Sequence, residues 1–441
     1  MMLAHGVGAR GDLPLPFWLF VWAAATALIV SFVALGLAWT RPRLQAAASG
    51  RRLLGGDASP FPPRVLSQVL VPLAQAAALV LHVVAVWAGL FGANDTGHNL
   101  LPVALYVTVW VGMQLLNGVV GDLWRLLSPI NTLARLAEGV ARALGRAPSD
   151  APQRLGHWPA ALGLFVFLFY ELAHPTGSEP RTLGRLLLAH SLVTVVLGVK
   201  WGAAWVADNE PFAVLFSLLA GMAVFFTRDR QLRLRPPMTG LARVSAGSGT
   251  LAALLIVLGG TTYDGFSESQ AGRDLLGASS GWSGAAISTL GLLASIGIVA
   301  ALFGIGIWWM TRVTHLGMPE ASAAFTPSLI PIVFGYAIAH YARLLIDEIQ
   351  TFWFLLSDPG GLGWNLFGGA DNAINFNVIS PTTVAWLQVV AIVVGHIGAV
   401  LVSHDRSVEL LTPAESQRSQ LTMLLVMVFY STIGLWLLLN A

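Results

Sequence analysis

His340, Arg343 and Asp347 stand at i, i+3 and i+7 in the run GYAIAHYARLLIDEI. On a helix that spacing puts an imidazole, a guanidinium and a carboxylate on one face. The surrounding residues are apolar, and an ionisable group in a bilayer is expensive unless it is paired or hydrated. Other costly residues lie at similar depth. Glu171 and His174 close one apolar run, and His190 opens the next. Tyr263 and Asp264 close a third, and Tyr341 and Glu348 flank the triplet. Such a set could bind a divalent metal, relay protons or hold an anionic substrate. The plainer alternative is that each residue snorkels to the headgroups or pairs locally, as Arg343 could with Asp347. No HExxH or similarly compact ligand motif is present. The cost of six such groups at one depth predicts that Glu171, His190, Asp264, His340, Arg343 and Asp347 form one connected polar site.

A second set faces the other leaflet. It comprises His396, His404 and Asp405, with Lys200, Asp208 and Glu210 nearby in the predicted topology. His404 and Asp405 sit where a helix leaves the membrane, so interfacial polarity accounts for them. His396 lies deeper, in VVGHIGAV, among small residues that permit close helix approach. A bond from its ring to a neighbouring carbonyl is the plain reading, and a proton relay the functional one. His82, in ALVLHVVAV, is expected to glue helices together, with Gln114 or Asn117 as partner. His82 and His396 could in principle hold a haem, but the paired spacing of a bis-His cytochrome is missing. No cofactor and no metal is assigned.

These residues need elements to hold them, and composition says which. Of 441 residues, 56% are hydrophobic and 10% charged. Several apolar runs reach about 20 residues, enough at about 1.5 Å per residue to cross roughly 30 Å of hydrocarbon. The fold class is therefore an all-α, polytopic transmembrane helix bundle forming one domain. Ten spans are predicted: 16–39, 66–92, 100–121, 158–174, 186–206, 246–264, 283–310, 325–346, 381–403 and 419–440. The first is too long for a signal-peptide core and is followed by Arg41 and Arg43, so it reads as a retained anchor. There are no cysteines, which excludes disulfides, thiolate metal sites and Cys nucleophiles. The net charge of +2 is small and spread over loops, with no stripe for nucleic acid. Lys200 is the one lysine, which points to a GC-rich bacterial coding bias.

Arginine placement gives orientation. The short segment Pro211–Phe226 decides it, because a crossing there would invert every later loop. If it does not cross, inner loops hold Arg41 to Arg64, Arg125 to Arg154, Arg228 to Arg243, Arg312, Arg406 and Arg418. Outer loops then keep only Arg10, Arg181, Arg185 and Arg273. The positive-inside bias favours that arrangement, with both termini outside and 207–245 a re-entrant or interfacial segment plus an Arg-rich cytoplasmic loop. Asp122–Arg146 alternates leucines with charges and reads as an amphipathic surface helix broken near Pro129, within a cytoplasmic stretch 122–156. Residues 348–379 read as a long outer loop with bilayer- or bundle-facing Trp353, Phe354, Trp364 and Phe367.

Three stretches carry a resemblance: AHGVGARGDLPLPFWLF, NEPFAVLFSLLAGMAVF, and GYAIAHY…LLSDPGGLGWNLFGGADNAINF…ISPTTVAWLQVVAIVVGHIGAVLVSHDR. Together they resemble bacterial multi-span membrane proteins labelled fenitrothion hydrolase-like. The resemblance implies a polytopic fold and, by its label, hydrolysis of an organophosphate ester. It carries over no catalytic residue.

Two functional classes follow. One is a transporter or accessory subunit of the bacterial cytoplasmic membrane with a polar outer-leaflet site. The other is a membrane-embedded hydrolase, with or without a metal, of apolar esters that enter from lipid. The bilayer and an unidentified small molecule are the expected partners.

Overall fold

The computed structural model describes residues 17–55, 63, 66–229, 231–277, 279–369 and 372–440. Arg10, Arg64 and Arg230 of the charge argument lie outside them, as does nearly all of the first resembling stretch. Helices dominate. In chain order they are α1 (Phe17–Ala38), α2 (Val71–Phe91), α3 (Leu100–Val119), α4 (Pro129–Ala143), α5 (Trp158–Leu172), α6 (Pro180–Trp201) and α7 (Ala203–Asn209). There follow α8 (Pro211–Ala220), α9 (Ser248–Glu268), α10 (Gly281–Val313), α11 (Leu329–Leu355), α12 (Pro381–Leu410) and α13 (Pro413–Asn440).

Among the described residues, seven helical stretches are long and apolar enough to cross a membrane. They are α2, α3, α6, α9, α10, α12, and α11 together with the short helix that leads into it. Shorter apolar helices cover Trp22–Ala38, Trp158–Leu172 and Pro211–Ala220. Seven of the ten expected spans meet this measure among the described residues. Three of the expected boundaries shift. The span expected at 186–206 begins at Pro180 and breaks at Gly202, whose φ of +88° suits glycine. The outer loop expected from 348 starts later, because α11 stays helical to Leu355. Within α3, Val103–Gly112 widens to i→i+5 bonding, as in Met113 N to Thr108 O.

The all-α expectation misses one small sheet. Three antiparallel strands, β1 (Arg51–Gly55), β2 (Phe225–Arg228) and β3 (Gln231–Leu234), pair in the order β1-β3-β2. Arg51 and Arg52 oppose Leu234 and Arg233, so the loop after α1 and the loop after α8 lie together.

Between them sits α8. Ten residues give it about 15 Å, half the depth of a hydrocarbon core. Its buried ends need partners, and both have them. Glu210 caps the N-terminus, its Oε1 accepting from Phe212 N at 3.2 Å and its Oε2 from Ala213 N at 2.7 Å. Arg235 serves the C-terminus, donating Nη2 to Ala220 O at 2.8 Å and Nε to Ala223 O at 3.0 Å. The signs match the helix dipole at each end. An aromatic box of Trp110, Trp124, Phe167, Phe212 and Phe216 holds α8 against α3 and α5, with Trp110 and Phe167 centroids 4.9 Å apart.

The tightest crossing is α11 on α12. A Cβ on Gly335 would lie 2.5 Å from Ala391 O and 3.0 Å from Gly395 Cα. Gly335→Val is therefore expected to push the helices apart and destabilise the fold by about 1–3 kcal/mol, the usual scale of overpacking. A lower thermal midpoint in detergent, with unchanged membrane insertion, checks it.

At the opposite end of α12, Asp405 gathers the chain after α1. Its Oδ1 accepts from Trp39 Nε1 at 2.8 Å and Arg43 N at 2.6 Å. His404 bonds Trp39 O at 3.0 Å and Gln420 Oε1 at 2.7 Å. Both side chains are buried ties joining α1, α12 and α13, which goes beyond interfacial polarity.

Candidate functional site

Asp264 lies near the C-terminal end of α9, inside the bundle, where α9 packs on α5, α10 and α11. Its Oδ2 receives two bonds from α11, Tyr341 OH at 2.9 Å and His340 Nε2 at 2.9 Å. The carboxylate and the imidazole are 5% and 3% exposed, so water does not screen them. With Asp264 ionised, His340 must carry a proton on Nε2 to make its bond. His340 Nδ1 is buried and has no partner.

Around this core the pattern repeats. Glu171, from α5, which packs on α9, has its Oε2 buried without a hydrogen bond. Trp110, from the widened stretch of α3, is fully buried, and its indole N–H has no hydrogen-bond partner. Tyr106, from the same stretch, donates to Gly177 O at 2.9 Å. Tyr336, one turn before His340 on α11, stacks on its ring and has no partner for its buried hydroxyl. Gly265 leaves the space in which they meet: a Cβ there would lie 3.2 Å from Tyr336 OH and 3.8 Å from His340 Cε1. Glu171, His340 and Tyr336 each keep a buried polar atom without a hydrogen bond around the bonded Asp264.

The structure divides the six residues expected to act together. Asp264 and His340 meet, and Glu171 lies on α5, the neighbouring helix. Arg343 and Asp347 pair with each other, Nε to Oδ2 at 2.6 Å, one turn further out. Arg343 Nη2 also holds Phe376 O at 3.1 Å, and Gln350 bonds the backbone of Asn375 on both sides, so this face of α11 anchors the outer loop. The other end of that loop reaches the α2–α3 turn through Gly360 O and Pro359 O. Trp364 stacks on Trp87 of α2.

His190 belongs elsewhere. It stands at the middle of α6, and its Nε2 is 3.5 Å from Oε1 of Glu210, the α8 cap. The expectation of one site of six is corrected accordingly. Glu210, expected beyond the inner end of its span, is buried against α6 because α8 folds back into the bundle. His82 also departs from expectation. Its Nε2 bonds Ser191 Oγ at 2.8 Å, not Gln114 or Asn117. Ser191 already donates to Leu187 O, so His82 is the donor. His396 Nδ1 bonds Ile392 O at 2.9 Å on its own helix, and its Nε2 has no partner.

Tyr336, Tyr106 and Trp110 were missed by sequence reasoning. Each reads as a core aromatic, and nothing in its spacing marks it. Glu210 did leave a signal: an acid directly before proline is the signature of a capped helix start.

Among the described residues no three His, Asp or Glu side chains converge as a metal-ligand set. Compared with protein-family models, curated proteins and solved structures, the chain matches none.

Proposed function

We propose that the chain is a ten-span protein of the bacterial cytoplasmic membrane that moves a small solute together with protons. Asp264, His340 and Glu171 are the proton-carrying group, and Tyr341 holds Asp264 in place through its hydrogen bond. The observation behind this reading is the buried Asp264 carboxylate, which accepts from both His340 and Tyr341, with Glu171 on the adjoining helix α5 keeping a buried oxygen without a hydrogen bond. A structural joint would satisfy its polar atoms, since an unmet one in a low-dielectric interior is costly. Unbonded polar atoms on Glu171, His340 and Tyr336 suit a group that changes its bonding as protons come and go. The ester hydrolysis implied by the resemblance calls for an activated nucleophile, and the absence of a converging ligand set among the described residues leaves it without support.

Proton movement is the readout. Purified protein in liposomes carrying a pH dye is offered a panel of sugars, amino acids and hydrophobic amines. At least one should drive a pH change in wild type that Asp264→Asn and Glu171→Gln abolish. No proton movement with any solute, or full movement in both variants, overturns the reading and leaves an accessory subunit.

The topology within this proposal puts both termini outside and α8 on the inner side without crossing. Its supports are the arginine bias and the pairing of β1 with β3, which keeps two Arg-rich loops on one side. The chain has no cysteine background, so Arg233→Cys in intact cells should resist an impermeant thiol reagent and react only after lysis. Labelling from outside inverts the model.

A further inference from the structure

The helices α5 and α6 follow each other in sequence but pack on different partners. α5 lies on α9 and α8, and α6 on α2 and α4. The gap between them is a cavity of about 430 Å³, with α7 and the start of α8 as its floor. That volume lies in the range of small-molecule sites, roughly 300–1,000 Å³. Its walls are apolar, with Leu162, Val166, Phe167, Leu197 and Trp205 among them. Leu162 and Val193 at its rim are 64% and 55% exposed, so the mouth opens on the apolar outer surface of the bundle. In a bilayer that surface faces lipid.

Two ionisable side chains reach this cavity, His190 and Glu210. Glu210 is committed. Its side chain is 2% exposed, and its oxygens accept from Phe212 N, Ala213 N and Trp124 Nε1. His190 is not. Its Nε2 is buried, makes no hydrogen bond, and stands 3.5 Å from Glu210 Oε1. A buried nitrogen that makes no hydrogen bond, beside a committed carboxylate in a pocket with an apolar wall and a lipid-facing mouth, points to a ligand. An anion would face the Glu210 carboxylate. A cation would face the N-terminal end of α8, whose amides already hold the lone pairs of Glu210. A hydroxyl suits either tautomer of His190, because it can donate or accept.

We propose that the cavity between α5 and α6 binds a lipid-borne, uncharged amphipath, an apolar chain carrying one hydroxyl, with that hydroxyl bonded to His190 Nε2. The ligand enters sideways from the bilayer. The site is separate from the Asp264 group and stands whether or not that group moves protons.

The probe is a long-chain primary alcohol bearing a diazirine, with the matching alkane as control. Full-length protein in liposomes is irradiated with each, and adducts are mapped by mass spectrometry. The alcohol should label residues 162–167 and 186–197 about fivefold more than the alkane, the worth of about one net hydrogen bond. Unlabelled alcohol should compete. His190→Phe should bring the alcohol down to the alkane level. Leu162→Trp, which fills the mouth without touching His190, should lower both. Equal labelling by alcohol and alkane overturns the proposal, and so does a preference for the alcohol that survives competition. If His190→Phe fails to fold, competition and Leu162→Trp decide.

Discussion

Replacing Glu210 with alanine should destabilise the protein by about 3 kcal/mol, more than an ordinary helix cap is worth. A cap alone contributes about 1 kcal/mol. Here the same carboxylate also accepts from Trp124 Nε1 at 3.2 Å, and its helix is buried. Removing it strands the amides of Phe212 and Ala213 and the Trp124 indole where water cannot replace them. Each stranded buried donor costs roughly 1–3 kcal/mol. Glu210→Gln keeps one acceptor oxygen, enough for Ala213 N and Trp124 Nε1, but turns an NH2 group on Phe212 N, so it should cost less, about 2 kcal/mol. Denaturant titration of purified protein, followed by Trp fluorescence, gives the ranking. Equal losses for both variants would mean that the charge, not the capping geometry, carries the effect.

That residue also shows what the sequence discloses. An acid before Pro211 declares a helix start, but nothing local says that the helix then turns back into the bundle. Length made the segment ambiguous, and charge in loops far away favoured one answer. The spans themselves were legible because a bilayer demands long apolar runs with internally paired backbones, a constraint that composition alone reveals. The sheet was not. RRLLG has no clean alternation, QLRL alternates over only four residues, and β1 and β3 lie far apart in the chain. Their pairing depends on α8 bringing the loops together. The face of α11 was half legible. Spacing put His340, Arg343 and Asp347 on one side of a helix, yet a helix face spans several turns. His340 meets α9, while Arg343 and Asp347, one turn out, meet the loop. His190 was misplaced because its span was started at 186. The helix begins at Pro180, and the six added residues move the histidine from the helix mouth to its centre.

Asp264→Ala and Asp264→Asn should separate structure from chemistry at the proposed proton site. Alanine deletes both interhelical bonds of the carboxylate and leaves Tyr341 and His340 without an acceptor. Polar contacts between membrane helices are worth about 0.6–1.7 kcal/mol each, so the loss should be about 2 kcal/mol. Asparagine can still accept from Tyr341 OH through its amide oxygen. It should retain most of that stability, measured by thermal unfolding in detergent. Asparagine cannot bind or release a proton, however, so any proton-coupled activity should be lost in both variants alike. Tyr341→Phe supplies the opposite contrast. It removes one bond to Asp264 and leaves the carboxylate and His340 in place, so it should lower stability by about 1 kcal/mol while activity persists. If Asp264→Asn keeps proton movement, the carboxylate is a joint between α9 and α11 and nothing more. If Asp264→Asn is stable and silent while Tyr341→Phe is weakened and active, the ionisation of Asp264 is the chemistry, and its hydrogen bonds are the scaffold that holds it in the bundle.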